Sequence, residues 1–188
     1  MLLTRLITAL VLLPIVLGAV FWFPPWGWGI FALALTGAAA SEWARMSLLQ
    51  FRSAHVFLFG MLAAMGLLLG AFLHPDWRRT FDASVVPVAA YVALVFWAVV
   101  APWWLRVQWR APAAANGLAG VAVLLPMFVA LLVLREKSPW LLLSFAVVVW
   151  VADVAAYFAG KQFGKHKLAP AISPGKTIEG VIGGVIAV

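Results

Sequence analysis

The chain has 188 residues, of which 66% are hydrophobic and 10% charged; its net charge is +7 and its mean hydropathy +1.08. That balance excludes a soluble globular protein, and the lack of cysteine excludes disulfides, thiolate metal sites and cysteine nucleophiles. The basic excess does not point to nucleic acid, because it is spread over short loops between apolar runs, where anionic lipid and topology account for it.

Apolar runs of roughly 20 residues match about 30 Å of hydrocarbon. They predict an all-α, polytopic transmembrane helix bundle with six complete spans and the start of a seventh. In chain order the spans are 6–23, 27–46, 54–73, 83–104, 118–134 and 139–160, with another opening near Ile178. The first is longer than a signal-peptide core and lacks an A-x-A cleavage pattern, so it is read as retained. The last stops at Val188, too soon to cross a bilayer, so the chain is expected to be a fragment. One integral membrane domain over 1–188 is expected, with 161–177 as a basic loop.

With a cytoplasmic amino terminus, Arg5, Arg45, Arg52, Arg106, Arg110, Lys161, Lys165, Lys167 and Lys176 fall on the cytoplasmic side. Arg78, Arg79, Arg135 and Lys137 fall on the other. Nine against four obeys the positive-inside rule and places the lysine-rich loop in the cytoplasm. Trp22, Trp26, Trp28, Trp77, Trp103, Trp104, Trp109 and Trp140 lie near span ends, as interfacial anchors do. Pro14, Pro87 and Pro126 fall inside spans, where they are expected to introduce kinks. Gly66/Gly70, Gly180/Gly184 and the run Ala152, Ala155, Ala156, Ala159 supply small surfaces for helix packing, a homodimer face being the alternative use of a glycine pair. Glu42 and Arg45, three apart on one helix, read as an ion pair.

Hydrophobicity does not explain residues 153–180. Asp153 lies seven residues before the end of its span, roughly 10 Å deep, where a carboxylate costs about 2.5–3.5 kcal/mol. Tyr157 and Gly160 share its face. Either a structural ion pair or a polar site would satisfy it. Lys161, Lys165, Lys167 and Lys176 then follow with His166 and no acid. Gly160, Gly164 and Gly175 free the backbone, while Pro170 and Pro174 stiffen it. The turn Ser173-Pro174-Gly175-Lys176-Thr177 leads into a helix start, whose free amides and dipole favour phosphate. A Walker A loop is excluded, since it needs a glycine where Pro170 stands and a preceding strand. Glu179 is left with three roles: complementing the helix dipole, holding Lys176, or binding a divalent cation.

At these residues the sequence resembles the bacterial phosphatidate cytidylyltransferases, the CDP-diacylglycerol synthases. The resemblance rests on Asp153, Ala156, Tyr157, Gly160, Lys161, Gly164, Lys165, Ser173, Pro174, Lys176, Thr177, Glu179 and Gly180, together with the pair Glu42-Trp43. Val154 departs from the family's common threonine. The family's carboxy-terminal Asp-Arg-x-Asp signature has no counterpart here, so the piece alone is expected to be inactive. The resemblance implies transfer of a cytidylyl group from CTP to phosphatidate at the inner membrane, with Mg²⁺ as cofactor. It implies Asp153, Lys176 and Glu179 as catalytic residues, Asp153 also as a metal ligand, and Ser173, Thr177, Lys161, Lys165, Lys167 and Tyr157 as substrate-binding residues. A CTP-dependent polyprenol kinase and an anion transporter are the competing readings.

Overall fold

A computed structural model describes residues 2–47, 51–107, 111–170 and 173–188. The chain divides into two compact units, Met1–Glu136 and Lys137–Val188. Trp109 and Arg110, read above as an anchor and a topology charge, lie outside the described residues.

The first unit opens with α1 (Leu2–Trp22) and α2 (Pro25–Met46). They are separated where Pro24 holds an extended backbone (φ −65°, ψ 163°) and Pro25 takes the first helical position, the one place where a missing N–H costs nothing. Next come α3 (Phe51–Leu73) and a continuous helix over Pro75–Val107, longer than the span expected there. Within that helix α4 (Pro75–Thr80), α5 (Val86–Val95) and α6 (Ala101–Val107) are joined by two wide, π-type turns, Phe81–Val85 and Phe96–Val100. Each wide turn sits just ahead of a proline, Pro87 or Pro102. A proline ring strikes the carbonyl four residues back, here Ala83 or Ala98, and a widened turn relieves that conflict. The unit closes with α7 (Ala113–Lys137), which runs on through Pro126, as α1 does through Pro14.

Its core lies among α2, α3, α7 and the long helix: Ala32, Thr36, Ala40, Met65, Phe81, Phe128 and Leu132 are almost wholly buried. Two tryptophans tie α2 to α7. Trp28 Nε1 donates to the Leu131 carbonyl at 3.0 Å, and Trp43 Nε1 to that of Asn116 at 2.9 Å. Trp28 is therefore a core residue and not the interfacial anchor expected from its place near a span end. Its indole finds both apolar cover and an acceptor inside the protein. Trp22, Trp26, Trp77, Trp103 and Trp140 are exposed, as anchors require.

Charges also do more than set topology. Arg135 donates to the carbonyls of Val20, at 3.1 Å, and Phe23, at the carboxy-terminal end of α1, where the last carbonyls of a helix lack partners. Arg78 pairs with Asp82 at 3.0 Å and with Glu136, and it lies 4.3 Å from the Phe72 ring centre. Glu42 and Arg45 form the expected ion pair.

The second unit consists of α8 (Pro139–Phe163), β1 (Lys167–Ala169), β2 (Ser173–Thr177) and α9 (Ile178–Ile186). The stretch expected to be a loop is thus an antiparallel hairpin, with Lys167 opposite Thr177 and Ala169 opposite Ser173. The hairpin qualifies the all-α expectation. Its two strands are both edges, which is why Pro174 is tolerated in β2. The small-residue stripe of α8 packs on the glycines of α9. A Cβ built on Gly180 would lie 2.9 Å from the Ala156 carbonyl oxygen and 3.4 Å from Gly160 Cα; one on Gly184 would lie 3.0 Å from the Ala152 carbonyl oxygen. The Gly180/Gly184 pair is therefore used within the chain.

Helices over residues 53–73, 75–107, 113–137 and 139–163 are long and apolar enough to cross a membrane. The protein is a multi-pass, predominantly α-helical membrane protein. Gly180→Ala should destabilise the α8–α9 contact by about 1–3 kcal/mol, the usual cost of overpacking against backbone. Thermal unfolding in detergent reads this, and an unchanged midpoint would mean that the two helices are not in close contact.

Candidate functional site

The site is built on the passage from α8 through the hairpin into α9. Helix α8 ends at Phe163 because Gly164 turns away with an extended backbone (φ −65°, ψ 107°). A Cβ there would lie 2.2 Å from the Gly160 carbonyl oxygen and 2.8 Å from Thr177 Cγ2. Thr177 ends β2 and caps α9: it is buried, extended (φ −127°, ψ 154°), and its Oγ1 accepts the Gly180 amide at 3.2 Å.

Glu179 occupies the centre of this junction. One of its oxygens accepts the Lys165 amide at 3.1 Å, both lie 3.3 Å from the His166 amide, and Oε1 is 2.7 Å from His166 Nδ1. Its own backbone amide also bonds it. The His166 side chain, followed by these amides, holds the Glu179 carboxyl at about 2, well below the ordinary carboxylate value. Glu179 lies outside the four helices long enough to cross a membrane.

This arrangement changes the expected chemistry of the α9 amino terminus. The Ile178 amide donates to the His166 carbonyl at 2.9 Å, Glu179's to its own carboxylate, and Gly180's to Thr177. The first-turn amides, expected to cradle a phosphate, are already partnered. The anion at this helix start is the chain's own carboxylate. Of the three roles left to Glu179, the structure shows it complementing the helix start; its partners are Lys165 and His166, and Lys176 is not among them.

The cations are free to act outward. Lys161, Lys165, Lys167 and Lys176 are all exposed, and Ser173 is half-buried on β2. Lys161 Nζ lies 6.0 Å from the Tyr157 ring centre, at the outer limit of a cation–π contact. Asp153 is exposed on α8, and among the described residues no hydrogen bond or ion pair reaches it, from Tyr157 or from any other side chain. The hairpin thus brings together Thr177, Glu179, Lys165 and His166, while Asp153 and Tyr157 stand apart on the α8 flank. Among the described residues no three His, Asp or Glu side chains gather as a metal site. Both Glu179 oxygens are engaged and Asp153 stands alone, so these residues do not by themselves make a site for the expected Mg²⁺.

His166 is the residue that sequence reasoning undervalued, since it counted only as part of a basic stretch. The signal was the hairpin register. Once Lys167 faces Thr177, His166 is carried to the start of α9.

Residues 3–188 match the Cytidylyltransferase family. The chain belongs to that family. It is 35% identical over 192 residues to a phosphatidate cytidylyltransferase of Pseudomonas aeruginosa, covering 98% of this chain and 67% of the relative. The corresponding protein of Haemophilus influenzae is 33% identical over 208 residues, covering 99% and 69%. One from Staphylococcus aureus is 32% identical over 185 residues, covering 97% and 66%. The chain therefore spans about two thirds of the length of these relatives. No solved structure matches it.

Because its carboxyl titrates far below the unfolded value of about 4.3, Glu179 contributes stability that is fully present above that value. The contribution is lost as pH falls towards 2. The chain has three glutamates, Glu42, Glu136 and Glu179, so carboxyl-¹³C labelling of glutamate gives a readable spectrum. The Glu179 signal should still be that of a carboxylate at about pH 3, and a midpoint near the ordinary value would contradict the bonding described.

Proposed function

We propose that this chain forms the membrane-embedded and nucleotide-binding part of a CTP:phosphatidate cytidylyltransferase, which makes CDP-diacylglycerol and pyrophosphate. The observation that carries the reading is an acid-free hairpin presenting exposed lysines beside a glycine-packed helix pair, in a member of the Cytidylyltransferase family. The names of the relatives supply the lipid substrate.

In the reaction a phosphate oxygen of phosphatidate attacks the α-phosphorus of CTP. The new O–P bond forms as the bond to the β-phosphate oxygen breaks, and pyrophosphate leaves. The nucleophile is already ionised near neutral pH, so no serine, cysteine or general base is needed. The protein must bring two polyanions together and offset their charge. Lys176, with Lys165 and Lys167 nearby, neutralises the CTP phosphates, and the Ser173 hydroxyl donates to them; Thr177, expected to bind substrate directly, acts instead by capping α9 and holding the end of β2 in place. Lys161, set over Tyr157, attracts the lipid phosphate. Asp153, exposed on the α8 flank, is left to meet a cation or lysine only when the substrates are bound, and Glu179 keeps the hairpin docked to α9. A site at the inner leaflet of the bacterial cytoplasmic membrane, with the hairpin on the cytoplasmic side, lets a soluble nucleotide meet a lipid headgroup.

In an enzyme of the relatives' full length, Lys176→Ala should lower turnover by on the order of 10²-fold, the usual cost of removing one charge-stabilising donor, while membrane insertion stays intact. Radiolabelled CTP and phosphatidate in proteoliposomes measure it, and wild-type rates would overturn the assignment. Product analysis separates chemistries: pyrophosphate marks cytidylyl transfer, whereas CDP would mark a lipid kinase.

A further inference from the structure

The charged groups of the second unit fall into two classes. The lysines of the hairpin are exposed, and among the described residues no hydrogen bond or ion pair ties any of their ammonium groups. The His166–Glu179 pair is bonded within the junction: Glu179 is partly buried, and the His166 ring, itself exposed, lies against it at 2.7 Å. Glu179 is ionised, and an ionised carboxylate only accepts hydrogen bonds, so His166 Nδ1 carries the proton in the 2.7 Å contact. On the same residue the His166 backbone N–H donates to the Glu179 carboxylate and the carbonyl accepts from the Ile178 amide at 2.9 Å. His166 therefore grips the start of α9 with three separate groups. It also directly joins Lys165 to Lys167, the first residue of β1.

Local entropy explains why such a grip matters. The hairpin pairs through short strands, and β1 has three residues. A two-stranded hairpin of that size is not stable alone in water. Lysine side chains are mobile, and a phosphate site made from them gains affinity only when the backbone carrying them is fixed in advance.

We propose that His166 is a positioning residue: by clasping Glu179 it docks the hairpin on the start of α9 and fixes where Lys165, Lys167 and Lys176 are presented to phosphate. The clasp rests on the reading of the hairpin as a CTP-phosphate site. His166 itself touches no substrate.

Equilibrium binding of labelled CTP to the purified protein in detergent tests the inference, with ¹⁵N-histidine spectra as a readout independent of nucleotide. The three histidines, His55, His74 and His166, make those spectra assignable by single substitution. His166 should show the Nδ1–H tautomer, and Glu179→Gln should change its signals. His166→Ala should weaken CTP binding about tenfold or more. His166→Asn, whose amide N–H stands where Nδ1 does, should restore most of the affinity. Far-UV circular dichroism identifies any variant that has merely unfolded, and the Asn variant then decides. CTP binding by His166→Ala equal to wild type, or an Nε2–H tautomer at His166, would overturn the clasp. If the wild-type protein itself bound no CTP while His166 showed the expected tautomer, the phosphate-site reading would fall, and the positioning role with it.

Discussion

A carboxylate in the first turn of a helix meets the helix's unpaired amides, and much of the second unit follows from how Glu179 is bonded. Its donors come from two places in the chain: the Lys165–His166 turn and the first turn of α9. Satisfying one side chain therefore closes the hairpin. The same closure brings Thr177 against Gly160, Gly164 and Gly180, where any larger residue would meet backbone or the threonine itself. Glycine at these positions is required by close approach between chain segments.

The consequence for phosphate recognition is a division of labour. The helix start, a ready anion site in many proteins, is here filled by the protein's own acid. In the proposed nucleotide site, recognition passes to side chains: lysine ammonium groups that act as point charges, with a hydroxyl beside them. Lysines follow a flexible triphosphate without demanding one fixed geometry, but they need a firm base. In the proposed site the hairpin and its grip on α9 provide that base.

Much of this was legible in the sequence, because the physics behind it is local. Apolar runs marked where the helices lie, with α2 ending at Met46 and α3 at Leu73 as expected. The fourth helix, however, begins at Pro75, eight residues before the expected span, and among the described residues four helices are long and apolar enough to cross where six complete spans were expected. Glu42 and Arg45 met because i,i+3 residues share a face. The stripe of Ala152, Ala155, Ala156 and Ala159 found glycines to pack on. What was missed depended on pairing across distance. Trp28 is chosen for the core by a carbonyl at Leu131, which no local pattern reveals. The hairpin hides in a stretch without alternation and broken by two prolines. His166 gains its meaning only from a strand register that propensity does not fix.

The Pro75–Val107 helix adds a constraint of another kind. Its 33 residues extend about 50 Å at 1.5 Å per residue, well beyond a hydrocarbon layer of about 30 Å. Tilt within the usual range does not absorb such a mismatch, so part of the rod stands in the headgroup zone. The Asp76–Arg79 end, with Trp77 exposed, has the composition suited to that depth. Two widened turns, at Phe81–Val85 and Phe96–Val100, divide the rod into shorter segments, each turn set just ahead of a proline.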